Sequence, residues 1–183
     1  MQRDVQTLLT ERLRLRQLQE NDAAFILLLL NDPDFLKFIG DRGVRNQTDA
    51  KSYLQNGPIK SYRENGHGLL LVERRSDGVP MGICGLVRRD GLEAPDLGFA
   101  LMPEYRVSGF AYEASKAVLD HAFNDLGITR ALAVVSPGNA SSIRLLERLG
   151  MNPVGHTKLQ QDDEELQLFE LNDAGRSSLE TQA

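Results

Sequence analysis

The chain has 183 residues, 41% of them apolar and 26% charged, with a formal net charge of −5. This is the composition of a globular domain rather than a disordered chain, and its length fits one domain with a full hydrophobic core. The acidic balance argues against a general nucleic-acid binder, and the longest apolar run, Ala23 to Leu30, is far too short to span a bilayer. The start, "MQRDVQTLLTERLRLR", lacks the pattern of a secretory leader. The single cysteine, Cys84, forms no internal disulfide and reads as a small buried apolar residue in a reducing compartment. A cytoplasmic protein is therefore expected, organised as one domain over 1–183 with a core of about 10–171.

In chain order, "ERLRLRQL" alternates as a strand with one wet face, with Arg12, Arg14 and Arg16 read as solvated. A helix is predicted from about Asn21, with Asn21 or Asp22 as its cap. "DPDFLKFIG" reads as irregular, broken by Pro33. "TDAKSYLQNGPIKSYREN" reads as helix, interrupted around Gly57 and Pro58. "HGLLLVERR" and "VPMGICGLVRR" form a hairpin about "SDG", and "APDLGFALM" continues the meander.

From Gly109 the apolar residues Ala114, Val118 and Ala122 recur at helical spacing, and Gly127 closes that helix. "RALAVV" is a short strand buried on both faces. "NASSIRLLERLG" is a helix ended by Gly150, and "MNPVGHTKL" and "ELQLFEL" finish as strands about an exposed turn at "QQDDEE". The tail over 172–183 is polar and reads as frayed. One strand–helix–strand crossover within an otherwise antiparallel series predicts an α+β fold with a mixed sheet of six to seven strands.

The informative stretch is "ALMPEYRVSGFAYEAS". A strand ends near Met102, Pro103 stops it, and a helix starts near Gly109. The first N–H groups of a helix lack internal acceptors and, with the dipole, favour an anion. Gly109 lets a ligand approach the backbone, Ala111 keeps the next approach narrow, and Arg106 adds positive charge. Such a seat suits a pyrophosphate, although an ordinary helix start would also produce the pattern.

Three blocks taken together are far more specific. "TERLRLRQL", "DLGFALMPEYRVSGFAYEA" and "NASSIRLLERLGM", in this order and spacing, resemble the GNAT superfamily of acyl-CoA-dependent N-acyltransferases over about 10–171. The branch that includes acetyltransferases of ribosomal-protein N-termini is the most similar. The resemblance implies a splayed parallel strand pair and acetyl-CoA as co-substrate. Its pyrophosphate would lie on Arg106 and the backbone amides of Val107, Gly109, Phe110, Ala111 and Tyr112. Phe99, Ala100 and Leu101 would run beside the pantetheine arm, with one backbone N–H in the wedge holding the developing oxyanion. Asn139 would lie beside the same arm, unless it only caps its helix, and Ser142 near the sulfur as general acid, with solvent as the rival. Family members that use a tyrosine one turn later differ from this chain, which has Leu146 there.

An amine acceptor arrives as ammonium and must lose a proton before attack. The resemblance places Asp96 where that base belongs, against a plain reading as a strand-end surface charge; Glu93 is an alternative and Glu113 reads as structural. The expected reaction is direct attack by a primary amine, of a peptide N-terminus or a small molecule, in a ternary complex. No nucleic acid, membrane or metal is implied, and a homodimer is common in the family. A non-catalytic acyl-CoA sensor of the same fold, or a small nucleotide-binding protein, are the rival readings.

Overall fold

The structure, a computed structural model, describes residues 6–161 and 163–180. Asp162 of the acidic turn and residues 181–183 of the tail fall outside them, as do residues 1–5.

Among the described residues, eight strands make one sheet in the order β1-β2-β3-β4-β5-β6-β8-β7. They are β1 (Leu8–Leu9), β2 (Leu13–Gln17), β3 (Leu69–Arg74), β4 (Pro80–Val87), β5 (Asp96–Leu101), β6 (Arg130–Val135), β7 (Asn152–Thr157) and β8 (Leu166–Asn172). The expected count of six to seven misses the two-residue β1, which pairs Leu8 with Leu15. Every neighbouring pair is antiparallel except β5 and β6. That exception is imposed by the crossover helix α5 (Phe110–Asn124).

Four helices precede the meander: α1 (Ala23–Leu30), α2 (Pro33–Phe38), α3 (Gln47–Asn56) and α4 (Pro58–Asn65). The expectation of an irregular 32–40 segment is corrected here. Proline at the first helical position needs no N–H partner, and Asp32 caps α2 by accepting from the Phe35 N–H at 3.2 Å, so Pro33 starts a helix. Pro58 likewise takes the first position of α4, there without a capping side chain, at the interruption expected.

The sheet is covered on both faces. Ala114, Val118, Leu119 and Ala122 of α5 pack with Leu13, Leu15, Leu86 and Leu97. On the other face Ile26, Leu29 and Leu54 pack with Leu71 and Ile83. Each such leucine or isoleucine contributes about 1.5–3 kcal/mol when fully buried, so the two layers hold the sheet rigid beneath its loops. Helix α6 (Ala140–Arg148) follows β6. Cys84 is buried as expected, and burial pushes its thiol up to about 12.

Two surface expectations are refined. Arg12 and Arg14 are exposed as expected, but the alternating arginines are also paired: Arg14 and Arg16 both hold the buried carboxylate of Glu73, and Arg16 also binds Asp22. The tail is helical as α7 (Asp173–Glu180), begun by Asn172, whose side chain accepts from the Gly175 N–H at 3.0 Å. No described helix is long and apolar enough to cross a membrane.

Candidate active site

After β5, a short 3-10 turn over Pro103–Tyr105 leads through Arg106 to Gly109, the N-cap of α5. Gly109 has φ +78°, a left-handed conformation that costs glycine little. It offers no capping side chain, so the first-turn N–H groups of α5 depend on other acceptors. Val107, 97% exposed at the loop tip, lines a cleft of about 600 Å³ together with Arg106, Gly109, Ala111 and Tyr112. Phe110 turns its ring away, beneath the Arg12 guanidinium at 4.2 Å, which leaves only its backbone for the loop.

Arg106 does not stand free. Its Nε donates to the Leu101 carbonyl at 3.0 Å, and its terminal nitrogens pair with Asp32 and Asp34 at the start of α2. The cation expected in the anion seat is therefore held by two carboxylates.

Below the loop the sheet opens. β5 and β6 pair at one position, Asp96 with Leu132, where the Leu132 N–H meets the Pro95 carbonyl at 2.9 Å. Backbone groups alternate sides along a strand. Pro95 and Leu101 direct their carbonyls to the β6 side, whereas Met102 donates to Met81 in β4 at 2.9 Å. Phe99 thus has its N–H and C=O in the open wedge. Ala100 has its backbone turned to β4 and contributes its side chain to the cleft wall, which narrows the added-strand contact expected of 99–101.

Helix α2 bridges this wedge. Asp32 and Asp34 tie its start to Arg106, and the Ser136 hydroxyl at the end of β6 donates to the Phe38 carbonyl at 3.2 Å. Beneath the bridge the outer cleft continues into an inner chamber of about 150 Å³. The two share Phe99, Ala100, Asn139 and Ser142 from the wedge, and Phe35, Phe38 and Ile39 from α2.

Asn139 caps α6, its side chain accepting from the Ser142 N–H at 3.3 Å, and also stands in the wall of both cavities. Ser142 is half-buried at the junction, and Leu146 is buried one turn on, in the inner wall.

Asp96 lies in the inner chamber, 1% exposed, with both carboxylate oxygens on Arg89 Nε at 3.0 and 3.1 Å. It is no surface charge. Burial raises its pKa, and the Arg89 charge opposes that rise. Glu93 is elsewhere, 84% exposed and 2.8 Å from Arg130, which removes it as an alternative base. Glu113 accepts from Thr10 and Arg12, in the structural role expected of it.

Reading the sequence missed Arg42, Tyr53 and Arg89 of the inner chamber and Arg144 and Arg148 of the outer cleft. Only Arg89 had a local signal, because hairpin pairing of Val87 with Asp96 brings its neighbourhood alongside. The outer cleft is lined by Arg106, Arg144, Arg148 and Asp34, and it stays positive even with Asp32 also on Arg106, in a chain of net charge −5.

Comparison with known proteins agrees with this geometry. Residues 12–152 match the acetyltransferase (GNAT) domain. The chain is 30% identical over 148 residues to the uncharacterized protein YkkB of Bacillus subtilis (strain 168), covering 79% of this chain and 84% of that one. The acetyltransferase from Agrobacterium tumefaciens str. C58 superposes with a TM-score of 0.79 at 25% identity, over 93% of this chain and 96% of that one. RimL, the ribosomal L7/L12 alpha-N-protein acetyltransferase in complex with coenzyme A, shares the fold with a TM-score of 0.75 at 14% identity, over 91% and 98%. The domain match across most of the chain, on a mixed sheet that splays after Asp96, makes this protein a member of the GNAT acetyltransferase family.

Proposed function

We propose that the protein transfers the acetyl group of acetyl-CoA to a primary amine by direct attack in a ternary complex. One observation carries this: two cavities meet in the wedge of the splayed strands at Phe99, Asn139 and Ser142, with Asp96 in the inner one alone. The cationic outer cleft and the free N–H groups of α5 suit a polyanionic co-substrate, and the wedge at Phe99 suits an extended amide arm. RimL, complexed with coenzyme A, is a precedent for such a ligand on this fold.

The amine enters from the inner chamber and gives a proton to Asp96, directly or through water. Its nitrogen then attacks the acetyl carbonyl, and the Phe99 N–H in the wedge receives the developing oxyanion. The C–N bond forms, the C–S bond breaks, and the thiolate leaves with a proton from Ser142 or solvent. Among acceptors we favour a peptide N-terminal amine, the type named for RimL.

Calorimetric titration with acetyl-CoA, with ADP as control, tests the co-substrate. Micromolar binding of acetyl-CoA and far weaker binding of ADP are expected; no binding to folded protein defeats the reading. A second reading is an acyl-CoA sensor without turnover, favoured by the Arg89 clamp on Asp96 and by Leu146. Amine-dependent release of free thiol separates the two, since a sensor releases none.

A further inference from the structure

Resting on that reading, we infer that the acceptor amine is carried on an apolar body with a carboxylate close by, and that Arg42 selects it. Either a free α-amino acid or a peptide N-terminus followed by an acidic residue has this chemistry.

The charges of the inner chamber carry the inference. Its ionisable lining is Arg42, Arg89, Asp96 and Tyr53. Arg89 and Asp96 satisfy each other. Arg42, exposed at the rim, has no hydrogen bond or ion pair among the described residues, while Arg45 on the same loop is paired with Asp41. Arg42 is also close enough to the chamber to act on Tyr53. Burial raises the Tyr53 hydroxyl, and the charges of Arg42 and Arg89 pull against it. One cation is thus left over, and no carboxylate.

The rest of the wall is apolar, with Phe35, Phe38, Ile39, Ile83 and Phe99. A polyamine or amino-sugar would bring several ammonium groups to a rim whose uncompensated charge is positive. The carboxylates nearest the path are already taken, Asp96 by Arg89 and Asp34 by Arg106. A carboxylate on the acceptor pairs with Arg42 while its apolar part fills the chamber and its amine faces Asp96.

The test compares matched acceptors on the intact protein. Initial rates with acetyl-CoA are measured for L-leucine, L-leucinamide, spermidine, and two pentapeptide amides with aspartate or lysine second. The carboxylate member of each pair should lead by roughly tenfold in kcat/KM, expressed in KM, as for a hydrogen bond to a charged group. Arg42→Ala should erase that lead while leaving acetyl-CoA affinity unchanged, and Arg42→Glu should reverse it. Leucine leading identifies a free amino acid, and the aspartyl peptide leading identifies an acidic N-terminus. Spermidine or leucinamide preferred by the wild type, or a preference that survives Arg42→Ala, overturns the inference. Binding of N-acetyl-L-leucine against N-acetyl-L-leucinamide in the presence of coenzyme A decides it without turnover. That arm keeps the inference testable even where no amine is acetylated, the result that defeats the proposed function instead.

Discussion

Arg12 Nε lies 2.7 Å from Glu113 Oε2, joining the turn before β2 to the first turn of α5 across about a hundred residues of chain. The same carboxylate accepts from the Arg12 N–H at 2.8 Å and the Thr10 hydroxyl at 2.6 Å. Arg12 Nη1 in turn donates to the Ser108 carbonyl at 3.0 Å, and its guanidinium covers Phe110. A residue far from the cleft in sequence thus fixes the loop that would carry the phosphates.

Arg12→Ala should therefore loosen that loop. We expect acetyl-CoA affinity to fall several-fold, with about 0.5–1 kcal/mol lost from stability because the pair is partly exposed. Arg12→Lys should recover only part, since an ammonium cannot bridge Glu113 and Ser108 in the same planar way. Calorimetry and thermal unfolding on the same samples measure both effects.

Gly109→Ala isolates the backbone contribution. A methyl there would meet only Arg12 Nη2 at 3.5 Å, an ordinary contact, so space is not the obstacle. The left-handed φ is, at about 1–2 kcal/mol. Weaker acetyl-CoA binding and a lower Tm are expected together; binding unchanged to within a factor of two would show that the loop does not need that conformation.

Asp34→Asn should act with the opposite sign. It releases one of the two carboxylates that hold Arg106, so the guanidinium becomes available to an anion in the outer cleft. Acetyl-CoA affinity should rise by about two- to fivefold at low salt, with the gain shrinking as salt screens it. A calorimetric salt series reads this directly.

Asp96→Asn should lower kcat about a hundredfold or more while coenzyme binding stays intact. As the proposed base, Asp96 must be ionised to work, and burial raises its pKa despite Arg89. Activity of the wild type should therefore rise with pH through a limb above the usual carboxylate range, and the variant should lack that limb. The sign for stability is reversed. A carboxyl with a raised folded pKa favours folding fully at pH values below its unfolded pKa of about 3.9, and that contribution is lost as pH rises through the folded pKa. Asp96→Asn should not lower the Tm at pH 7, because Arg89 is partly exposed and can turn to water.

Ser142→Ala keeps the α6 cap, because Asn139 accepts from the backbone N–H of that residue. A rate loss is then chemical in origin. About tenfold is expected if the hydroxyl protonates the thiolate, and a loss under twofold assigns the proton to solvent.

Much of this was legible along the chain. Leu13 and Leu15 alternate with arginines and are wholly buried; Gly109 and Gly150 mark a helix start and a helix end and take positive φ. The loop before α5, the β5–α5–β6 crossover and the α6 cap are contiguous in sequence, so the forces that set them act between near neighbours. Pro33 and the 173–180 helix were misread because each depends on a neighbouring acceptor, Asp32 or Asn172, whose capping bond outweighs a weak local preference.

The sequence by itself determined the family, the mixed sheet implied by its crossover, and the helix that starts after Gly109. Tertiary structure alone decided which charges remain free. Arg106 lost its freedom to Asp32 and Asp34, and Asp96 was paired with Arg89 in the inner chamber. Arg42 was left at the rim with no ion pair among the described residues. Charge availability depends on which side chains the fold brings within a few ångströms and removes from water, and neither composition nor periodicity carries that distance.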